Sequence, residues 1–222
     1  MKDSSGNIWS GGYYNLKEID YSRKNIRHFP GLNGITAIIE KDSTHMWIGT
    51  STGLYLLEKA TGKYTYIQMP VESYYIYSLC QASDGMLYIG TNNAGLLVYD
   101  TTKNTFRHYH RDNCALISNN IYTLLSDGKG NIFLSTEHGL STFYPVEETF
   151  HNWTKEQGLK SDHFNAASGT LRKNGNFIFG STDGAIEFNK DMILPRDYKF
   201  KMVFSDLRVF YQTVYPLSLI HI

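Results

Sequence analysis

Eight histidines, 21 acidic side chains and two cysteines give this 222-residue sequence groups that could hold a metal, move protons or attack a substrate. Their spacing argues against each use. His28, His108 and His151 stand in three separate aromatic segments, 26–29, 106–109 and 150–153, so they recur with the sequence around them. A metal needs donors converging within a few ångström, and His108 and His110 merely share one face of a short strand. Glycoside cleavage needs two carboxyl groups about 5–10 Å apart across a cleft, whereas Glu137 and Asp183 fall in matching turns of separate segments. No nucleophile elbow, phosphate loop, zinc spacing or cofactor motif is present. Cys80 lies in an apolar strand and Cys114 in a polar loop, a pattern that supports no disulfide. We therefore expect no catalytic residue, no metal and no cofactor.

What remains is recognition. Tyr74, Tyr75, Asn92, Asn93, Arg111, Asn119, Asn120, His138, Asp162 and His163 sit in polar loops and glycine-closed turns. Planar rings beside amide and charged groups suit a carbohydrate, because apolar sugar faces stack on rings while hydroxyls hydrogen-bond. These ten are the expected ligand-binding residues, and an oligosaccharide the expected ligand.

The elements that must position them repeat. Gly6-Asn7-Ile8-Trp9-Ser10-Gly11, His45-Met46-Trp47-Ile48-Gly49-Thr50, Met86-Leu87-Tyr88-Ile89-Gly90-Thr91, Asn131-Ile132-Phe133-Leu134-Ser135-Thr136 and Asn176-Phe177-Ile178-Phe179-Gly180-Ser181 are variants of one strand. Their anchors Trp9, Trp47, Tyr88, Phe133 and Ile178 stand 38, 41, 45 and 45 residues apart. Before each complete copy come an apolar strand and an Asp- or Asn-containing turn; after it come a turn closed by glycine, a third strand and an aromatic fourth. The glycine supplies the positive φ of a tight hairpin. Four short strands repeated about every 40–45 residues are the signature of an all-β propeller, whose blades bury their large anchors by stacking radially.

We expect four to five blades of an incomplete propeller over 1–190, with limits near 1–29, 30–68, 69–110, 111–154 and 155–190. The first unit lacks its first strand, so Met1 is read as an accidental start with sequence preceding it, and the lack of an apolar leader says nothing of location. After Phe188 no aromatic fourth strand follows. Pro195 and a longer strand-like stretch, 200–210, mark a boundary, so 191–216 is expected to be a linker and the first strand of an Ig-like β-sandwich. The last six residues, 217–222, look like foreign sequence from library preparation. Aromatics at 14% with 19 glycines and 5 prolines suit strands and turns. With 21 basic residues balancing the acidic ones, no basic face for nucleic acid or anionic membrane is implied. No stretch approaches the roughly 18 apolar residues of a membrane span.

Trp47-Ile48-Gly49-Thr50-Ser51-Thr52-Gly53-Leu54, preceded by an Ile-x-x-Ile strand and an Asp turn, resembles the two-component regulator propeller repeat, as does Tyr88-Ile89-Gly90-Thr91 with Gly95-Leu96. The stretch from Gly180 to Phe188, then Pro195 and 204–210, resembles that family's junction with an Ig-like domain named for three tyrosines. Phe133-Leu134-Ser135-Thr136 departs from the Trp-Ile-Gly-Thr form. The resemblance covers about residues 1–215. It implies the extracytoplasmic, periplasmic sensor region of a bacterial hybrid two-component histidine kinase, tethered through a later membrane helix and working as a homodimer. Two alternatives stay open: a propeller scaffold that binds proteins through the same loops, and a propeller lyase acting through Glu137 or Asp183.

Overall fold

Two of the anchors, Trp9 and Tyr88, have polar handles held by turn acids. In the computed structural model, Asp3 Oδ2 accepts the Trp9 indole N–H at 2.9 Å, and Asp84 Oδ2 accepts the Tyr88 hydroxyl at 2.7 Å. Each turn is thereby tied to the ring that the next strand buries. The structure describes residues 1–20, 22, 24–71 and 75–189, together with two short strands, 208–209 and 212–213. The expected linker and Ig-like start over 191–216 otherwise lie outside the described residues, as does the tail 217–222.

Five antiparallel sheets follow one another along the chain. Blade 1 has three strands, β1 (Ile8–Gly11), β2 (Tyr14–Asp20) and β3 (Asn25–Asn33). Blade 2 is β4 (Ile35–Glu40), β5 (His45–Thr50), β6 (Gly53–Glu58) and β7 (Tyr64–Ile67). Blade 3 is β8 (Ile76–Gln81), β9 (Leu87–Thr91), β10 (Leu96–Asp100) and β11 (Thr105–Tyr109). Blade 4 is β12 (Ile121–Ser126), β13 (Ile132–Thr136), β14 (Gly139–Tyr144) and β15 (Thr149–Trp153). Blade 5 is β16 (Phe164–Leu171), β17 (Asn176–Ser181) and β18 (Gly184–Asn189). The two remaining short strands, β19 (Arg208–Val209) and β20 (Gln212–Thr213), pair with each other. Within blades 2 to 5 the strands run in sequence order, the first lying against the first strands of the neighbouring blades. Thus β4, β8, β12 and β16 form the axial wall, and β3, β7, β11 and β15 the outer edges.

The anchors pack forward. Trp9 joins Met46, Ile48 and Leu57 of blade 2. Trp47 joins Ile76, Leu87 and Ile89 of blade 3, and Tyr88 joins Ile132, Leu134 and Phe143 of blade 4. Phe133 joins Phe177, Phe179 and Phe188 of blade 5. All four anchors are at most 1% exposed, so the interblade seams are the core. The glycine of the Trp-Ile-Gly-Thr pattern permits the close approach: a β-carbon on Gly90 would stand 2.8 Å from Ile121 Cγ2 of the next blade. The fifth anchor departs from expectation. Ile178 is half-buried, paired with Thr170 and Glu187, and Glu187 is held by Asn176 and Arg172. This face of blade 5 is polar and adds no interblade core among the described residues.

One ionic cluster pins blade 1 to blade 2. Lys59 Nζ lies 3.4 Å from Asp3 and 2.5 Å from Glu40, and Lys59 and Asp3 are both buried. Burial pushes the Asp3 carboxyl up; the bonds from the Trp9 indole and the Asn7 amide and the nearby Lys59 ammonium outweigh it and hold the group below its usual range. A carboxyl depressed in the fold stabilises above its unfolded pKa, about 3.9, and that contribution is lost as pH falls through the folded value. Asp3→Asn is therefore expected to lose about 1–3 kcal/mol at pH 7 and to converge with the native chain near pH 2. Urea midpoints at the two pH values measure this; an equal gap at both would contradict it.

Two local features were not expected. The loop after β15 contains a single 3₁₀ turn, Lys155–Gln157, because Thr154 and Gln157 form a reciprocal capping box and Gly158 ends the turn in the left-handed region. The axial strands β4, β8 and β12 also bulge at their second residue: Thr36, Tyr77 and Tyr122 lie where the ladder register shifts. A bulged residue is left out of the pairing and its side chain is re-aimed.

Candidate functional site

The loops from each fourth strand to the next first strand, and the turns between second and third strands, share one face of the blades. Backbone bonds join them: Asn92 N–H donates to Tyr75 O at 2.9 Å, Gly95 N–H to Asn119 O at 2.8 Å, and Thr182 N–H to His163 O at 3.0 Å.

Six of the ten expected binding residues gather at blade 3. Asn119 Oδ1 accepts the Arg111 amide at 2.8 Å, and Asn120 Oδ1 accepts the Asn93 amide at 2.8 Å. The two side-chain carbonyls thus knit the 111–120 loop to itself and to the Asn92–Asn93 turn, while Tyr75 anchors that turn from the other side. Asn93 takes a left-handed backbone with a φ of +65°, a conformation that asparagine tolerates. Arg111 is exposed.

These elements bound an open cleft of about 560 Å³, lined by Pro70, Val71, Asn93, Ala94, His108, His110, Asp112 and Asn119. His108 and His110, on the outer strand and just beyond it, have ring centroids 4.7 Å apart. His108 Nε2–H donates to Ala94 O at 2.6 Å, which fixes that ring against the turn. His110 Nδ1 stands 3.5 Å from Asp112. The cleft therefore offers amides, imidazoles and a carboxylate over an apolar floor, a composition suited to a small polar ligand with apolar faces.

His138, Asp162 and His163 belong to a second place, where blades 4 and 5 meet. His163 Nδ1–H donates to Glu137 O at 2.8 Å. His138 Nε2 lies 3.7 Å from the Glu137 carboxylate, which also accepts the Ser118 hydroxyl at 3.0 Å. Asp162 Oδ1 accepts the Lys155 amide at 2.6 Å, so this carboxylate holds its own loop. Tyr74 lies outside the described residues. Glu137 and Asp183 sit on matching turns of blades 4 and 5. No cluster of three or more metal-donor side chains occurs among the described residues. Both cysteines are free, and burial pushes the Cys80 thiol up to about 11.

Sequence reasoning missed His108 and His110 as cleft residues, having placed them on a solvated edge. It also missed Tyr77 and Tyr122. Their rings contact each other across the blade 3–blade 4 boundary at 5.2 Å, and Tyr75 contacts Tyr77 at 5.0 Å. The signal was available: Ile76 and Leu79, and Ile121 and Leu124, are buried three apart where plain alternation would give two.

Known proteins share both the repeat and the fold. The family model described as Two component regulator propeller matches residues 70–93, which run from the cleft floor through β8 and β9 to Asn93. Histidine kinase P4 of Formosa agariphila is 22% identical over 187 residues, covering 80% of this chain and 13% of that protein. Two extracellular domains from B. thetaiotaomicron superimpose on the blades. One, described as part of a one component system, has a TM-score of 0.74 at 20% identity over 85% of this chain and 29% of its own. The other, described as part of a hybrid two component system, has a TM-score of 0.60 at 21% identity over 86% of this chain and 33% of its own. The chain thus spans about an eighth of the kinase and about a third or less of each solved domain. It is a run of β-propeller blades in which residues 70–93 match the two component regulator propeller model.

Proposed function

We propose that this chain is part of the periplasmic ligand-sensing region of a hybrid two-component histidine kinase, and that it holds an oligosaccharide on its loop face. The observation that carries this reading is the coincidence of the family match with the cleft: residues 70–93 supply Pro70, Val71 and Asn93 to its lining. The extracellular origin of the similar solved domains and the kinase homology support the setting. The chain's role is recognition without a chemical step. Binding shifts the balance between two arrangements of the propeller relative to an Ig-like domain, and so between two states of a kinase homodimer.

The test is autophosphorylation of the whole kinase in membrane vesicles, with β-gluco-, xylo-, manno- and arabino-oligosaccharides on the side bearing the propeller. One of these is expected to change the phosphorylation level, with His110→Ala shifting its half-effective concentration upward about tenfold, the loss of one well-placed polar contact. No response to any saccharide would remove the reading.

Protein docking remains a rival on one observation. Tyr13 and Tyr14, in the blade 1 turn on the same face, are 76% and 72% exposed and pack edge to face. Exposed tyrosine pairs are frequent interface anchors. Docking predicts that Tyr13→Ser with Tyr14→Ser abolishes the kinase response while leaving saccharide affinity unchanged.

A further inference from the structure

The axial wall carries an aromatic cluster outside the cleft lining, of which Tyr122 also packs, partly buried, against the blade 4–blade 5 core. Tyr77 and Tyr122 occupy the same bulge in blades 3 and 4, while the matching bulge of blade 2 holds Thr36. A threonine is thus sufficient to build this bulge, and the tyrosines add ring surface that the bulge itself does not need. Their rings meet at 81°, and Tyr75, more than a third exposed, extends the cluster toward the loop face.

Glu137 follows Thr136, which pairs with Ile121 just before Tyr122. Burial first, and then neighbours that include Glu137, push the hydroxyls of Tyr77 and Tyr122 above their usual range, so both remain protonated donors. The Glu137 carboxylate accepts one bond from Ser118, and a carboxylate has about four acceptor positions. A pyranose presents what such a surface lacks: a flat C–H face for the rings, and hydroxyls that donate to a carboxylate and accept from phenols. The Asn92–Asn93 turn separates the cluster from the cleft, with Tyr75 bonded to Asn92 on one side and Asn93 lining the cleft on the other.

Resting on the oligosaccharide reading, we propose that Tyr77 and Tyr122, with Tyr75 and Glu137 at their edge, form a second pyranose subsite on the axial wall, adjoining the blade 3 cleft across the Asn92–Asn93 turn. One oligosaccharide spans both places. Affinity therefore rises with chain length until both are filled.

The test is calorimetric titration of the full 222-residue chain with the four oligosaccharide series, two to six units long. The key variant is Tyr77→Thr with Tyr122→Thr, which installs the residue that blade 2 already carries. Binding by the native chain, weakened about tenfold or more in this variant while its circular dichroism stays native, supports the subsite. Equal affinity overturns the subsite and leaves the oligosaccharide reading standing. Binding of no saccharide by the native chain overturns both. If the double threonine variant does not fold, Tyr77→Phe with Tyr122→Phe decides instead: weaker binding supports the subsite, and unchanged binding overturns it.

Discussion

Trp47→Ala is expected to cost about 3–5 kcal/mol of folding stability, the range for emptying a large aromatic site in a packed core. Trp47 is 1% exposed and fills the seam between blades 2 and 3, edge-on to Tyr99 at 6.0 Å. Its loss opens a cavity bordered by two blades, so neither sheet can close it by relaxing alone. Trp47→Phe is expected to cost less than about 1.5 kcal/mol. Phe133 fills the same slot in blade 4, and the indole N–H of Trp47 is buried without a partner, so phenylalanine removes an orphan donor as it removes volume. Urea midpoints of the three chains provide the comparison. A Trp47→Ala chain within 1 kcal/mol of the native one would show that the anchor is not the seam's main support.

The second large effect is at a turn. Gly95→Ala is expected to cost about 2–4 kcal/mol, combining left-handed strain of about 1–2 with displacement of packed backbone. Gly95 has a φ of +79°, and a β-carbon there would collide with the carbonyl oxygen of Tyr109. Gly85 supplies the control: its φ is also +79°, but a β-carbon would meet nothing within 4 Å. Gly85→Ala is expected to cost only the strain, about 1–2 kcal/mol. The difference between the two variants isolates the close approach of the turn to the outer strand. Because the Gly95 amide also bonds Asn119 O, the same substitution is expected to disrupt the cleft while Gly85→Ala leaves it intact. Similar costs at both positions would place the whole effect in backbone strain.

The blades were legible because their period is carried by large side chains. Trp47, Tyr88 and Phe133 could be aligned by size and by the small residue two positions later, and the structure places all three in seams. Ile178 aligned equally well, yet the seam it suggested depends on a facing partner, which alignment does not reveal. The site was less legible. Asn93, Asn119 and Asn120 were identifiable as loop amides, but the Oδ1 atoms of Asn119 and Asn120 serve the loops themselves. Asp162 looked available, whereas its oxygen holds an amide seven residues earlier in the chain. His108 reads as an outer-edge residue until the Ala94 carbonyl is seen to turn it toward the cleft. Tyr77 and Tyr122 were hidden by assuming strict alternation along strands that bulge.

The bulges at Thr36, Tyr77 and Tyr122 give the repeat a division of labour that gene duplication can exploit. A copied blade inherits its seam from residues paired within the ladder, such as Ile76 and Gly90. The bulged residue lies outside that pairing, so it can be rewritten while the ladder that carries the seam stays as it is. A library randomised at residues 36, 77 and 122 would sample new recognition surfaces on an unchanged scaffold.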